Sequence, residues 1–90
     1  MSSDSTELRI RWERRALKEA AKLPRPDRER IVAAVASLRD APLQGTQLHA
    51  EWKGLRRLRV GTYRVIYAFD GAELLVSVIR VGHRREVSRP

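Results

Sequence analysis

Cysteine is absent from the 90-residue sequence, and so are long apolar runs. The lack of thiols excludes disulfides, a cysteine nucleophile and thiolate-bound metals. No stretch approaches the ~18 apolar residues of a transmembrane helix, and residues 1–6 are polar, without the apolar centre of a signal peptide. The five scattered glycines form no glycine-rich phosphate loop. We therefore expect a cytoplasmic protein that uses no metal and no cofactor.

Residue types that perform nucleophilic catalysis are scarce as well. The two histidines, His49 and His83, are far apart in the sequence, and nothing resembles a Ser-His-Asp triad. His49 falls in a predicted loop and is interpreted as a solvated side chain. His83 precedes Arg84 and Arg85, whose charges favour a neutral imidazole. It is either a general base, a hydrogen-bond donor to phosphate or a polar surface residue.

Positive charge, by contrast, is abundant. Nineteen lysines and arginines against eleven acidic residues give a net charge of +8, and only three of the basic residues are lysines. Residues 52–90 hold nine basic and three acidic residues, a net charge of +6. A genome that favours arginine codons explains the excess over lysine but not its position. Such a half-chain attracts polyanions such as RNA, DNA or acidic proteins.

The length and ordinary apolar content predict a single domain over residues 1–90, with residues 1–7 as a disordered tail. Residues 8–12 alternate apolar and basic side chains, as a half-buried strand does. Apolar residues then recur at helical spacing in two segments separated by Pro24 and Pro26, which predicts a helical hairpin. The apolar positions are Ala16, Leu17, Ala20 and Ala21 in the first helix, and Ile31, Val32, Val35 and Leu38 in the second.

Three further strands are predicted after a loop at residues 41–53. They cover residues 55–60, 63–69 and 74–81, and the Asp-Gly pair at 70–71 is a strong hairpin signal. The fold class is therefore α+β. The order β-α-α-β-β-β predicts an antiparallel twisted sheet with the helical hairpin packed on one face.

Arginines interrupt these apolar strands. Alternation along the first places Leu58 and Val60 under the helices and Arg57 and Arg59 on the opposite face. Arg64 and Arg80 lie within apolar strands, where a charge is costly without an anionic partner. That partner is either a carboxylate, from Glu51, Glu73 or Glu86, or a phosphate, which guanidinium groups bind bidentately.

Two segments resemble a known family. Residues 54–67, GLRRLRVGTYRVIY, are similar to the core signature of the RelE/ParE superfamily of bacterial toxins. Residues 78–87, VIRVGHRREV, resemble its C-terminal strand and tail, and are closer to RelE than to ParE. The resemblance covers roughly residues 8–89. It implies a ribosome-dependent, metal-independent endoribonuclease that cuts mRNA in the A site. It also implies a RelB-like antitoxin as partner, through which alone the toxin reaches operator DNA.

The resemblance also implies roles for individual residues. Arg64 matches the arginine that contacts the scissile phosphate, and Arg84 the residue that stabilises the transition state or leaving group. Arg57 matches a basic residue that helps activate the 2′-hydroxyl or binds phosphate, and His83 a position held by Lys or His. Further RNA contacts are expected from Lys53, Arg56, Arg59, Arg80 and Arg85.

One position departs from the family pattern. Many RelE-type sequences end in Arg-x-x-Val/Ile-Tyr-Arg, and here Ser88 stands where that tyrosine is expected. A serine cannot stack on a base and is a poor proton acceptor, so Ser88 predicts attenuated cleavage, whether natural or introduced. Two alternatives remain open at this stage. The chain is a ParE-like gyrase inhibitor, or a catalytically inert homologue that binds its antitoxin as a co-repressor.

Overall fold

The computed structural model describes residues 7–83, which form two helices and a five-stranded sheet. The elements are β1 (Arg9–Trp12), α1 (Arg14–Ala21), α2 (Arg25–Ala36), β2 (Thr46–Gln47), β3 (Arg56–Val60), β4 (Tyr63–Asp70) and β5 (Leu75–His83). Short 3₁₀ turns follow α2 at Ser37–Arg39 and precede β3 at Ala50–Trp52. The tail predicted at residues 1–7 lies outside the described residues except for Glu7. No helix within residues 7–83 has the length and apolar character needed to cross a bilayer.

The two helices form the predicted hairpin but bury fewer of the predicted residues. Ala16 and Ala20 of α1 and Ile31 and Val35 of α2 are buried, with Leu38 just beyond. Leu17 and Val32, which were predicted to join the core, are 53% and 49% exposed. The small alanines face the sheet and allow α1 to pack closely against it. α1 therefore turns its larger side chain, Leu17, outward, and α2 turns Val32 outward.

The sheet has the strand order β1-β5-β4-β3-β2. Strands β3 to β5 pair antiparallel in sequence order, as predicted, and β2 adds a further antiparallel pair with β3. β1 is the exception, because it pairs parallel to β5, with Arg9 opposite Leu75 and Trp12 opposite Val78. The long helical connection after β1 makes a parallel pairing possible. β2 lies within residues 41–53, which were predicted to be loop throughout.

The core lies between the helices and one face of the sheet. Its strand residues are Leu58, Val60, Val65, Tyr67, Val76, Val78 and Val81. Their positions follow the two-residue alternation of each strand, apart from an irregularity where β4 and β5 shift register beside Ile66 and Tyr67. The alternation leaves the opposite face of the sheet to a different set of side chains.

A hydrogen-bond network ties the loop before β2 to this core. The buried Tyr67 hydroxyl donates to the Pro42 carbonyl at 2.8 Å and accepts the Gly45 N–H at 2.9 Å. Arg56 Nη1 donates to the carbonyls of Leu43 and Gly45, at 3.2 and 2.7 Å. A Cβ atom at position 45 would lie 2.7 Å from the Tyr67 hydroxyl oxygen, so only glycine fits there.

Candidate nucleic-acid interface

Among residues 7–83, three arginines of β3 and β4 share the sheet face that points away from the helices: Arg57, Arg59 and Arg64. We call this group the arginine face. On β3, Arg57 and Arg59 alternate with Leu58 and Val60, which belong to the core. On β4, Arg64 stands between two residues that pack with the core, Tyr63 and Val65. The predicted alternation of these strands is therefore confirmed.

The strand register brings two of these charges together. Arg59 and Arg64 are direct cross-strand partners, and Arg57 is one step along, opposite Ile66. Side chains directly opposite each other in an antiparallel pair have Cβ atoms about 4.5–5.5 Å apart, and like charges in such a pair destabilise the sheet. The register thus places two arginine side chains directly beside each other on this face.

Carboxylates do not neutralise the β3 members of the arginine face. Among residues 7–83, no carboxylate lies within salt-bridge distance of Arg57 or Arg59. Of the three suggested acidic partners, Glu73 instead faces Arg9 at 3.8 Å, and Glu86 lies outside the described residues. Positive charge that no carboxylate of residues 7–83 neutralises is suited to a phosphate, whose oxygens match the guanidinium fork.

Two arginines that were predicted to bind RNA make contacts within the protein, and their RNA contacts stay predictions. Arg56 donates to the loop carbonyls described above, on the helix side of the sheet. Arg80 Nη2 lies 3.1 Å from Glu19 Oε2 on α1, and this pair is largely sheltered from solvent. Lys53 is exposed at the end of the 3₁₀ turn before β3. Arg84, Arg85 and Ser88 lie outside the described residues, and their predicted roles stay predictions.

His83 lies on the helix side of the sheet. It is the cross-strand partner of Tyr63, and the two rings meet edge to face with centroids 6.1 Å apart. The Tyr63 hydroxyl donates to Asp27 Oδ2 of α2 at 3.3 Å. Both rings border a cleft of about 450 Å³ whose other walls are Glu19, Lys22, Leu23, Val81 and Gly82. The His83 imidazole therefore borders this cleft, and its predicted role as a base stays a prediction.

Glu19 is the residue that the sequence pattern did not identify. Helical spacing assigns it to the charged side of α1, with Arg15 and Lys18, where solvation is the ordinary expectation. In the fold its carboxylate contacts both a side chain and the backbone of β5. Only the placement of α1 beside β5 reveals this contact, and no spacing in the sequence signals it.

Comparison with known proteins gives the family. Residues 10–88 match the family model of the ParE toxin of the type II toxin–antitoxin system parDE. The chain is 35% identical to the toxin RelG of Mycobacterium tuberculosis over 86 residues, which cover 89% of this chain and 94% of that protein.

Solved structures agree with this assignment. The toxin–antitoxin complex RelBE2 of M. tuberculosis contains a chain that superposes with a TM-score of 0.70 at 34% identity, covering 87% of this chain and 99% of that one. A mutant of the E. coli toxin RelE in its free state gives a TM-score of 0.74 at 25% identity, with coverage of 91% and 88%. The chain belongs to the RelE/ParE superfamily of toxins of type II toxin–antitoxin systems.

Proposed function

We propose that this toxin is an endoribonuclease that cleaves mRNA in the ribosomal A site and so inhibits translation in the cytoplasm. The observation that carries the proposal is the arginine face. Arg59 and Arg64 are held opposite each other, and no described carboxylate neutralises Arg57 or Arg59. The relatives named RelG and RelE support a RelE-type activity.

The reaction uses the nucleophile that RNA itself carries. The 2′-oxygen loses its proton and attacks the adjacent phosphorus, and the bond from phosphorus to the 5′-oxygen breaks. The products are a 2′,3′-cyclic phosphate and a 5′-hydroxyl, after a proton reaches the leaving oxygen. Guanidinium groups stabilise the additional negative charge on the phosphoryl oxygens without a metal. In this scheme Arg64 contacts the scissile phosphate, Arg57 binds beside the 2′-hydroxyl, and Arg84 stabilises the leaving group.

Proton abstraction needs another group. Arginine stays protonated and cannot act as the base. We propose His83 for this role, because its cross-strand partner Tyr63 is the direct neighbour of Arg64 in β4. With serine at position 88, we propose that the toxin depends on the ribosome for the remaining geometry and cleaves slowly.

An antitoxin is the second proposed partner. The solved RelBE2 relative is a complex of toxin and antitoxin, and a net charge of +8 favours an acidic partner. The exposed side chains of Leu17 and Val32 border an apolar groove of about 300 Å³ together with Trp12, Ala20, Ala21 and Arg28. We propose that an acidic RelB-like antitoxin covers this groove, and that the toxin reaches operator DNA only through it.

The decisive experiment maps RNA ends. Purified toxin is added to a translating extract, and primer extension locates cleavage sites while a ligase specific for 2′,3′-cyclic phosphate captures the upstream fragments. We expect codon-phased cuts that disappear when translation is blocked before elongation. Cleavage of naked mRNA at the same rate, or no cleavage at any toxin concentration, would contradict the proposal.

Gyrase inhibition is the alternative that a specific finding favours, because the matching family model is named for ParE. A gyrase inhibitor would leave mRNA intact and cause cleaved DNA to accumulate on gyrase. Supercoiling assays with the same preparation therefore separate the two activities. Operator binding with the antitoxin, without either activity, would identify an inert co-repressor.

A further inference from the structure

On the outer edge of β5, the pairing with β1 ends at Val78, about halfway along the strand. β1 pairs with β5 only from Leu75 to Val78, and the last hydrogen bond runs from the Glu13 N–H to the Val78 carbonyl at 2.9 Å. The chain then enters α1, so the end of β5 has no neighbouring strand on this side. An unpaired backbone donor at a sheet edge would leave this segment free to fray.

Glu19 occupies the place of the missing strand. Its Oε1 accepts the Val81 N–H at 2.8 Å, as a backbone carbonyl of a further strand would. Its Oε2 lies 3.1 Å from Arg80 Nη2, and the side chains of this pair are only 18% (Arg80) and 22% (Glu19) exposed. A carboxylate that bonds a guanidinium and a backbone amide at once makes two charge-assisted hydrogen bonds. One side chain of α1 therefore fixes two consecutive residues of β5.

The residues that Glu19 fixes adjoin the arginine face. Gly82, the next residue after Val81, is the cross-strand partner of Arg64. Between Val78 and Arg80 the β4–β5 ladder shifts register, so its own hydrogen bonds hold this part of β5 less regularly. In the sequence the same strand leads directly into Arg84 and Arg85. A contact that fixes Val81 therefore acts on the strand that supports Arg64 from one side.

We infer that Glu19 is a positioning residue for the arginine face. It anchors the end of β5 through the Val81 amide and engages Arg80, which thereby serves the fold and is withheld from RNA. This inference rests on the proposed cleavage activity. It assigns Glu19 no contact with the substrate, because its carboxylate would repel phosphate.

The test compares two substitutions at one position. Glu19→Ala removes both acceptors, whereas Glu19→Gln keeps a carbonyl oxygen for the Val81 N–H and loses the charge. We expect Glu19→Ala to lower the single-turnover rate of cleavage on programmed ribosomes by roughly 10–100-fold, the scale of effect that small misplacement of a catalytic group produces. The toxin concentration for half-maximal binding to ribosomes should not change. Glu19→Gln should restore most of the rate.

Glu29→Ala is the matched control. Glu19 Oε2 lies 3.4 Å from Arg15 Nε, four residues earlier in α1. Glu29 makes the same kind of pair with Arg25, at 2.8 Å, but this pair lies within α2 and involves no strand residue. The rate for this variant should equal that of the wild type. Hydrogen exchange at the Val81 amide gives a readout that does not depend on cleavage. It should accelerate in Glu19→Ala and stay slow in Glu19→Gln.

The experiment distinguishes failure of the proposed function from failure of the inference about Glu19. A wild-type toxin that cleaves no mRNA overturns the proposed function and, with it, the catalytic part of this inference. An active wild type together with an equally active Glu19→Ala variant overturns the inference alone. The same holds if Val81 exchange is identical in the two proteins, or if Glu19→Ala weakens ribosome binding and leaves the rate unchanged.

Discussion

Arg56 and Arg57 are consecutive residues of β3, yet they belong to different parts of the molecule. Arg56 points to the helix side, and its guanidinium donates to two loop carbonyls. Arg57 points to the other side, where no carboxylate among residues 7–83 pairs with it. The comparison teaches that positive charge in this half of the chain has two uses. Some arginines bond to other parts of the fold, and others have no carboxylate partner among the described residues.

The largest expected effect comes from the arginine face. Arg64→Ala should lower the rate of mRNA cleavage by roughly 10²–10³-fold, since one preorganised donor to a transition-state oxyanion contributes about that much. The circular dichroism spectrum should stay that of the wild type. Arg25→Ala, which removes an exposed arginine on α2, is the control and should cleave normally. If Arg64→Ala unfolds, the arginine is structural and the comparison between the two groups fails.

The next prediction concerns Ser88, since arginines supply neither a proton acceptor nor the aromatic ring of a tyrosine. Ser88→Tyr should raise the cleavage rate, because a phenol ring stacks on an unpaired base with about 1–3 kcal/mol, or roughly 5- to 150-fold. Neighbouring positive charges would also favour its phenolate as a base. Ser88→Phe is the matched control, since it adds the ring without the hydroxyl. Equal rates for the wild type and Ser88→Tyr would show that position 88 does not limit the reaction.

The hydrogen bonds that hold the loop before β2 are tested most directly through Tyr67. Tyr67→Phe leaves the Gly45 N–H and the Pro42 carbonyl without their partner, and should lower the free energy of unfolding by about 1–3 kcal/mol. Burial raises the pKa of the Tyr67 phenol above its ordinary 10.0, although the Gly45 hydrogen bond and the Arg56 charge act in the opposite direction. Folding therefore favours the neutral phenol.

The sign of the pH dependence follows from that shift. The contribution of the neutral phenol is complete below the unfolded-state pKa of 10.0 and is lost as the pH rises through the higher folded-state pKa. The free energy of unfolding of the wild type, measured with urea, should thus fall above about pH 10. Tyr67→Phe should lack this part of the decline. Parallel pH profiles for the two proteins would contradict the assignment.

Arg56→Ala makes the comparison within β3 itself. Loss of its bonds to the loop should cost about 1.5 kcal/mol of stability, because a charged donor is removed from two carbonyls. The salt dependence of RNA binding should stay as in the wild type. Arg57→Ala should do the reverse, with little change in stability and a slope of log K against log salt that is smaller by about 0.7. A loss of stability in Arg57→Ala, or a smaller salt slope in Arg56→Ala, would contradict this division.

Local patterning in the sequence accounts for much of this division. The two-residue period of β3 was sufficient to place Arg57 and Arg59 opposite Leu58 and Val60. The prolines at 24 and 26 were sufficient to separate two helices. The parallel pairing of β1 could not be read locally, because it depends on where the helical connection returns the chain.

The roles of individual arginines required the tertiary structure. Arg56 and Arg80 look like Arg57 and Arg59 in the sequence, since all four are guanidinium groups in apolar strands. Their partners are a loop at residues 42–45 and Glu19, which are distant along the chain and carry no motif. For His83, the structure adds an edge-to-face contact with Tyr63 that the sequence pattern does not predict.

The smallest expected effect concerns the cost of the arginine face to the fold. Arg59 stands directly opposite Arg64, and removing one of two opposed like charges should stabilise the sheet by about 0.2–1 kcal/mol. Arg59→Gln keeps a long polar side chain and should show this gain, most clearly at low salt where screening is weak. Arg59→Lys keeps the charge and should show no gain. Both are measured by urea unfolding at two ionic strengths. Arg59→Gln should at the same time bind RNA with a smaller salt slope. The substitution would thus raise the stability of the fold and weaken the electrostatic part of RNA binding. A stability of Arg59→Gln equal to that of Arg59→Lys at low salt would mean that the opposed charges do not strain the sheet, and that the arginine face is no costlier to the fold than an ordinary solvated surface.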